Sequence, residues 1–552
     1  MSQSSHPCFK QTGSSENIQI VFLGATTFIG KSCFVIKIHD DVVMLDCGAG
    51  SPTDPFPDFK HTVLTQANID LSRDLKAIVI THFHVDHCGA VSACVSTLDY
   101  QNPIYVTAPT AAIMPFMLKD LANVTTERQG LDHRQGSSNS LLTEQAFERV
   151  KALFSTIDFF QTVSISPSLK LTLFPAGHLL GASCIYLEHI SGDSVYYTGD
   201  FNPLPDCHLD RFWTPAGLKK PPTVLITEIT EGSAVKQSST LSTSRLQMDI
   251  INTLRKGGKI LLPVSALGRA EELLEIITTL WDSMLDLKQY KLLMTHGLLK
   301  KVVEVYERNT VFGSIEIQKE STAPFQYPDF LVYEQNMLVD PCVIIATPST
   351  LNKGVSLQAF QKIADDENSL VIIPGMPSIN SLPYNLLHHV YDEISIDNAK
   401  AVPIKCRFTN LSFTSHTDQR GIVTMIQNLR PENVVIVHGT SQKSNRMQRL
   451  IAREFGIPAH VPLAEKCYLK ISSQRPPTKL NVVRDSVYYT DDPNLTREDI
   501  ENIIAACGGH LKLISFENGF IDVCALECYE KIFMLFEKTL ASSVSLLHVD
   551  PN

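Results

Sequence analysis

The chain is 552 residues long, 44% hydrophobic and 19% charged, a composition that suits a globular protein with room for about three or four domains. Its formal net charge of −11 argues against a protein that grips nucleic acid through its overall field, and no apolar run reaches the roughly 20 residues of a membrane-spanning helix. The 13 cysteines contain no Cys-x-x-Cys pair, which argues against a disulfide framework and suits reduced thiols.

In chain order, residues 1–16 are polar and read as a flexible tail. Short strands are expected over 18–23, 33–38 and 42–45, the last delivering Asp46. Between the first two, Gly24 and Gly30 are separated by five residues where a phosphate-binding loop needs four, so the segment reads as a tight turn. The β-branched run 77–80 reads as a buried strand leading into Thr81-His82-Phe83-His84-Val85-Asp86-His87-Cys88-Gly89. Three imidazoles and a carboxylate within six residues would each need a buried hydrogen-bond partner if they were mere packing, so they read as metal ligands. An extended exit from the strand puts His82 and His84 on one side, with Asp86 and His87 at the start of a helix beginning near Cys88. A single helix carrying His84 and His87 on one face is the alternative. His39, His61 and the Cys88 thiol read as ordinary core or surface residues.

Helical patterns follow over 110–121, kinked at Pro115, and 142–154, with a polar loop over 128–140. Strands over 169–174 and 194–197 lead toward His178 and Asp200. From residue 213 to about 400 the pattern becomes doubly wound α/β, with strands at 223–227, 260–264, 342–346 and 370–373 and helices at 244–255 and 269–280. Residues 401–471 resume the first body, with elements at 411–413, 422–429, 434–437 and 445–455 and His438 directly after a strand. Residues 472–478 read as a linker, and 479–552 as a small mixed α/β domain. Charge is uneven: residues 401–455 carry eight Lys/Arg against three Asp/Glu, and 481–552 carry five against twelve. Arg446, Arg449 and Arg453 fall at helical spacing and read as a solvated face, with lining an RNA path as the other use.

Asp46, His82, His178, Asp200 and His438 each follow a strand, so they can meet beyond the carboxyl ends of one sheet edge. The set then assembles as His82, His84 and His178 on one ion and Asp86, His87 and His438 on a second, with Asp200 bridging. Asp46 would orient a ligand or the nucleophile. Nitrogen and oxygen donors without thiolate suit Zn²⁺, and manganese or iron would accept the same set. Two such ions can activate water and steady both oxygens of a displacement at phosphorus.

These segments resemble the metallo-β-lactamase superfamily, and more narrowly its β-CASP branch of nucleases. Three further motifs carry the narrower resemblance: Glu228 in Leu225-Ile226-Thr227-Glu228, His416 in Ser412-Phe413-Thr414-Ser415-His416-Thr417-Asp418, and His438 in Val437-His438-Gly439. Histidine at the third motif is the choice of RNA-acting members. The stretches Pro57-Asp58-Phe59, Pro205-Asp206-Cys207-His208-Leu209 and Pro263-Val264-Ser265-Ala266-Leu267-Gly268-Arg269-Ala270 are similar to Integrator-type endonucleases. The pre-mRNA 3′-end endonucleases of the cleavage and polyadenylation machinery are the near alternative. The resemblance implies an αββα sandwich over 17–212 and 401–471, an inserted β-CASP domain over 213–400, two zinc ions, an RNA substrate, a nuclear address and a larger RNA-processing complex. It further implies that 479–552 binds an inactive paralogue. Within it, His416 would protonate the leaving oxygen and Glu228 would hold His416 or the nucleophile, while Arg269 would approach a phosphate or brace the insert. The family usually follows the acidic residue with Ser-Thr-Tyr, whereas Ile229, Thr230 and Glu231 stand here. An inactive scaffold would have lost ligands, and a small-ester hydrolase would lack the insert with Glu228 and His416; both rivals rank below an RNA endonuclease.

Overall fold

The computed structural model describes residues 17–51, 54–129, 141–212, 218, 220–232, 239–265, 268, 270–295, 297–319, 325–327, 329–334, 337, 340–377, 381–396, 400–464, 466–471, 486–489, 496–506, 511–517, 520–525 and 547–549. The expected tail, most of the 128–140 loop, the 472–478 linker and Arg269 lie outside them. The chain forms two compact units, Met1–Ser473 and Gln474–Asn552.

In the larger unit the short, β-branched strands pair into two seven-stranded sheets. The first runs Cys467–Ile471, Ile18–Phe22, Phe34–Ile38, Asp41–Leu45, Leu75–Val79, Ile104–Val106, Phe154–Thr156. The second runs Ala459–His460, Val434–Val437, Val224–Glu228, Ser194–Tyr197, Ser183–His189, Leu169–Pro175, Thr162–Ser164. Alternation along the strands decides the layering. Ile18, Ile20 and Phe22 share a core with Leu169, Leu171, Val195 and Tyr197 of the other sheet. The opposite face of the first sheet, with Val21, Val35 and Met44, is covered by Val91 and Val95 of the helix Val91–Leu98, and that of the second, with Leu225 and Ile436, by Met447 and Ile451 of Ser441–Phe455. The result is an αββα sandwich.

The insert is a six-stranded parallel sheet in the order Phe330–Val332, Lys291–Met294, Cys342–Ala346, Ile260–Pro263, Leu370–Pro374, Arg407–Leu411. Helices cover both faces, Ile250, Leu273 and Trp281 on one and Phe360, Ile363 and Leu386 on the other.

Strand pairing corrects the expected edges of this insert. The strand Val224–Glu228 does not open it; it lies in the sandwich, parallel to both Ser194–Tyr197 and Val434–Val437. At the far end, Arg407–Leu411 still pairs with the insert's Leu370–Pro374, beyond the expected boundary at 400. Val224–Glu228 is a fully buried run without a face preference, so only partner choice assigns it, and Arg407–Leu411, with Arg407, Thr409 and Asn410, carries too few apolar residues to read as a strand. Locally, the helix expected near Cys88 begins earlier, at Val85. The helix around Pro115 runs over Ala108–Gln129, and the strand Ser183–His189, buried on both faces, had no alternation to reveal it. No described helix is long and apolar enough to cross a membrane.

The smaller unit has a sheet in the order Leu511–Glu517, Phe520–Ala525, Ser486–Tyr489, Leu547–Val549 and a helix Arg497–Ala506.

Candidate metal centre

Three parallel strands, Ser194–Tyr197, Val224–Glu228 and Val434–Val437, end side by side, and Glu228 is in register with Val437. Asp200, Glu228 and His438 are therefore delivered to one edge. On the facing sheet, Asp41–Leu45 and Leu75–Val79 are parallel neighbours that end at Asp46 and the histidine segment. Asp46 and His438 both leave their strands in the left-handed region, at φ 55° and 54°. Two side chains held in that costly conformation at one location are a mark of a functional site.

The side chains converge in two groups sharing Asp200. His82 Nε2 lies 3.1 Å from His84 Nδ1, which is 3.4 Å from His178 Nε2, and both Nε2 atoms are 3.8 Å from Asp200 Oδ2. In the second group His438 Nε2 is 3.2 Å and His87 Nε2 3.9 Å from Asp86 Oδ2, and His87 Nε2 is 3.4 Å from Asp200 Oδ2.

The outer nitrogens fix the tautomers. The single Thr81 hydroxyl proton goes to Asp46 Oδ2 at 3.0 Å, so His82 Nδ1 must donate to Thr81 Oγ1 at 2.9 Å. His178 Nδ1 donates to the Ser415 carbonyl at 3.1 Å and His87 Nδ1 to Asp46 Oδ2 at 2.7 Å. Thr230 Oγ1 donates to the His438 carbonyl at 3.3 Å and accepts from His438 Nδ1 at 2.9 Å. With Nδ1 protonated, each of these four rings turns a bare Nε2 lone pair inward. Lone pairs crowded against one another repel unless a cation lies between them. His87 Nε2 and Asp200 Oδ1, both buried, have no hydrogen-bond partner, so the donor set fits a metal by chemistry as well as by position.

Electrostatics keep the rings of the first group neutral and draw positive charge, a proton or a metal, to the second. Burial pushes His82 and His178 well below the ordinary histidine range and His84 to about 4, which keeps these rings neutral at pH 7. Burial would also depress His87, but Asp200, Asp46 and Asp86 outweigh it and raise it. Burial works against the charge on Asp86 and Asp200, yet His87 and His438 beside both hold their carboxyls well below the usual range.

Asp46 is fully buried and touches neither group of inward-facing atoms. Its Oδ1 accepts from Thr81 N at 2.7 Å, and its Oδ2 accepts from Thr81 Oγ1, from Tyr197 OH at 2.8 Å and from His87 Nδ1. It acts through His87. Glu228 is likewise occupied: it accepts from Phe201 N at 2.9 Å, Thr230 N at 3.4 Å and His416 Nδ1 at 3.0 Å. His416 Nδ1 lies 3.8 Å from Asp200 Oδ2, and its ring is 23% exposed. Apart from it, the open positions are Asp86, 33% exposed, and the half-buried His84, since His82, His87, His178, Asp200 and His438 are buried.

Sequence reasoning thus named each inward-facing residue but missed Thr81, Tyr197 and Thr230, which hold them. Thr81 adjoins the histidines and Tyr197 ends a strand, yet nothing local distinguishes either from packing. Of the departure at 229–231, Ile229 is fully buried against Gly439, where a Cβ would stand 2.3 Å from Ile229 Cγ2, Thr230 is buried and Glu231 is half-buried. His61 caps the helix Thr62–Gln66 and His39 pairs with Asp193 at 2.8 Å, so both are structural.

Three family signatures match in order: "Metallo-beta-lactamase superfamily" over residues 26–241, "Beta-Casp domain" over 270–386, and "Zn-dependent metallo-hydrolase RNA specificity domain" over 401–462. Among curated proteins the chain is 31% identical to an Integrator complex subunit 11 homolog of Dictyostelium discoideum, over 81% of this chain and 60% of that one. It is 32% identical to Integrator complex subunit 11 of Gallus gallus, over 81% and 72%, and 29% identical to the endoribonuclease ysh1 of Schizosaccharomyces pombe, over 80% and 56%. A crystal structure of a protein of unknown function from Enterococcus faecalis shares the fold, with a TM-score of 0.51 and 13% identity over 82% of this chain and all of that one.

Proposed function

This chain belongs to the β-CASP branch of the metallo-β-lactamase superfamily, and on that footing we propose that it is a metal-dependent RNA endonuclease of the Integrator type that hydrolyses phosphodiester bonds of nuclear RNA. The observation that carries the reading is the convergence of bare imidazole nitrogens and carboxylates on Asp200 beside a His416 braced by Glu228. Endonucleases of the cleavage and polyadenylation type are the second reading, favoured by the similarity to Cleavage and polyadenylation specificity factor 73 of Drosophila melanogaster, 29% identical over 80% of this chain and 62% of that one. His438 and the RNA specificity signature support RNA as substrate.

His82, His84 and His178 would hold one zinc ion and Asp86, His87 and His438 another, with Asp200 shared. Bound there, the pair supplies Lewis acidity that activates water and absorbs charge on phosphorus. The remaining chemistry falls to the chain. Asp46 and Thr230 fix the rings of His87 and His438, so the donors need no reorganisation. The Glu228 carboxylate holds the Nδ1–H of His416 and favours its imidazolium form, so that Nε2–H passes its proton to the departing ribose oxygen and leaves a neutral ring.

The test is His416→Ala in the full chain, with RNA cleavage and zinc content measured together. Cleavage falls by about two to four orders of magnitude with zinc content unchanged. Undiminished cleavage would remove His416 from the chemistry, and loss of zinc would make it a ligand instead.

A further inference from the structure

Around His416, whose ring is 23% exposed, the sequence turns cationic in a protein of net charge −11, with eight Lys/Arg against three Asp/Glu over 401–455. Two helices begin where the site's own loops end: Gln419–Leu429 starts three residues after His416, and Ser441–Phe455 three residues after His438. Between them lies a groove of about 520 Å³ lined by Gln419, Arg446, Arg449, Leu450 and Arg453. At 1.5 Å rise per residue, the three arginines extend about 10 Å along the helix. Little on the protein claims them. Among the described residues Arg446 has no ion-pair partner, Arg449 donates only to its own helix at Asn445 O, 3.2 Å away, and Arg453 pairs with the exposed Glu454. The groove therefore offers guanidinium donors, with one leucine between them, on a helix that starts three residues after His438 and against the first residue of the helix that follows His416.

We infer that this groove carries the phosphate backbone of single-stranded RNA away from the cleavage site, Arg446, Arg449 and Arg453 each taking a phosphate. The inference rests on the RNA-hydrolase reading and assigns it a strand path. Guanidinium groups suit phosphate because they present paired donors, and single-strand tracks combine such cations with sequence-tolerant contacts. Contacts made to phosphate contribute affinity without sequence choice.

The test is fluorescence polarisation with the full chain carrying His416→Ala, which prevents turnover, against a strand of about 20 nucleotides and one of about 5, the latter too short to extend beyond the site. Combining Arg446→Gln, Arg449→Gln and Arg453→Gln weakens the long strand about tenfold or more. It also lowers the slope of log affinity against log salt by about 2, as expected for three released phosphate contacts. Short-strand affinity and zinc content stay unchanged. Arg446→Glu alone shifts the long strand in the same direction should the triple variant melt early. Equal long-strand affinity and slope in parent and triple variant overturns the groove while leaving the RNA reading standing, whatever protein partner the helix then serves. A parent that binds neither strand overturns both.

Discussion

Asp46 shows how much one carboxylate can organise. It gathers four hydrogen bonds in a fully buried location and transmits them to His87, so its loss leaves several buried donors unpaired. Tyr197→Phe removes one of those bonds alone. It should lower unfolding free energy by about 1.5–3 kcal/mol, the usual worth of a bond to a charged group, as measured by denaturant titration with zinc present. A change under about 0.5 kcal/mol would mean the hydroxyl is not bonded there. Asp46→Ala should go further and weaken zinc binding at the His87 site about 10–100-fold, the range expected for a residue that orients a ligand.

At the scale of elements, the turn after Ser194–Tyr197 depends on Gly199, which has φ +54° and whose absent Cβ would stand 2.8 Å from Thr81 Cβ. Gly199→Ala should therefore destabilise the fold by about 1–3 kcal/mol and displace Thr81, read as a lowered melting temperature together with weaker zinc binding. A second device fastens the opposite end of the sandwich. Burial works against the charge on Asp193, but hydrogen bonds from His39, Ser191 and Asn17 win, so its carboxyl sits below the ordinary range. A depressed carboxyl contributes stability above its unfolded value near 3.9 and loses it as pH falls through the folded value. Asp193→Asn should thus be less stable than the parent at neutral pH, and the gap should close as pH drops below about 4.

The same scale explains what the sequence could disclose. The strand tips bearing Asp46, His82, Asp200 and His438 were legible because a polar residue after an apolar run needs a reason. The assignment of Val224–Glu228 to the sandwich was not legible, because a fully buried strand reads alike in either sheet. Nor were Thr81, Tyr197 and Thr230, whose roles exist only once the strands are side by side.

For the molecule as a whole, the insert and the sandwich meet at the metal centre. Gly268 of the insert comes so close that a Cβ there would lie 3.2 Å from His84 Nε2. A cation held by this set stabilises the folded state by mass action, about 4 kcal/mol at a thousandfold excess over its dissociation constant. Chelation should lower the melting temperature, and zinc should restore it. We propose, from the family resemblance, that residues 479–552, acidic in composition, bind an inactive β-CASP paralogue. Truncation after Lys470 should abolish co-purification with that partner, and retention at full strength would remove the assignment.

Seven side chains closing on two cations is the claim on which the rest depends. Its most direct test is an anomalous-difference map at the zinc edge from crystals of the zinc-loaded full chain. Two peaks should flank Asp200, one among His82, His84 and His178 and the other among Asp86, His87 and His438. Absence of zinc from that cluster under saturation, or peaks confined to other residues, would contradict it.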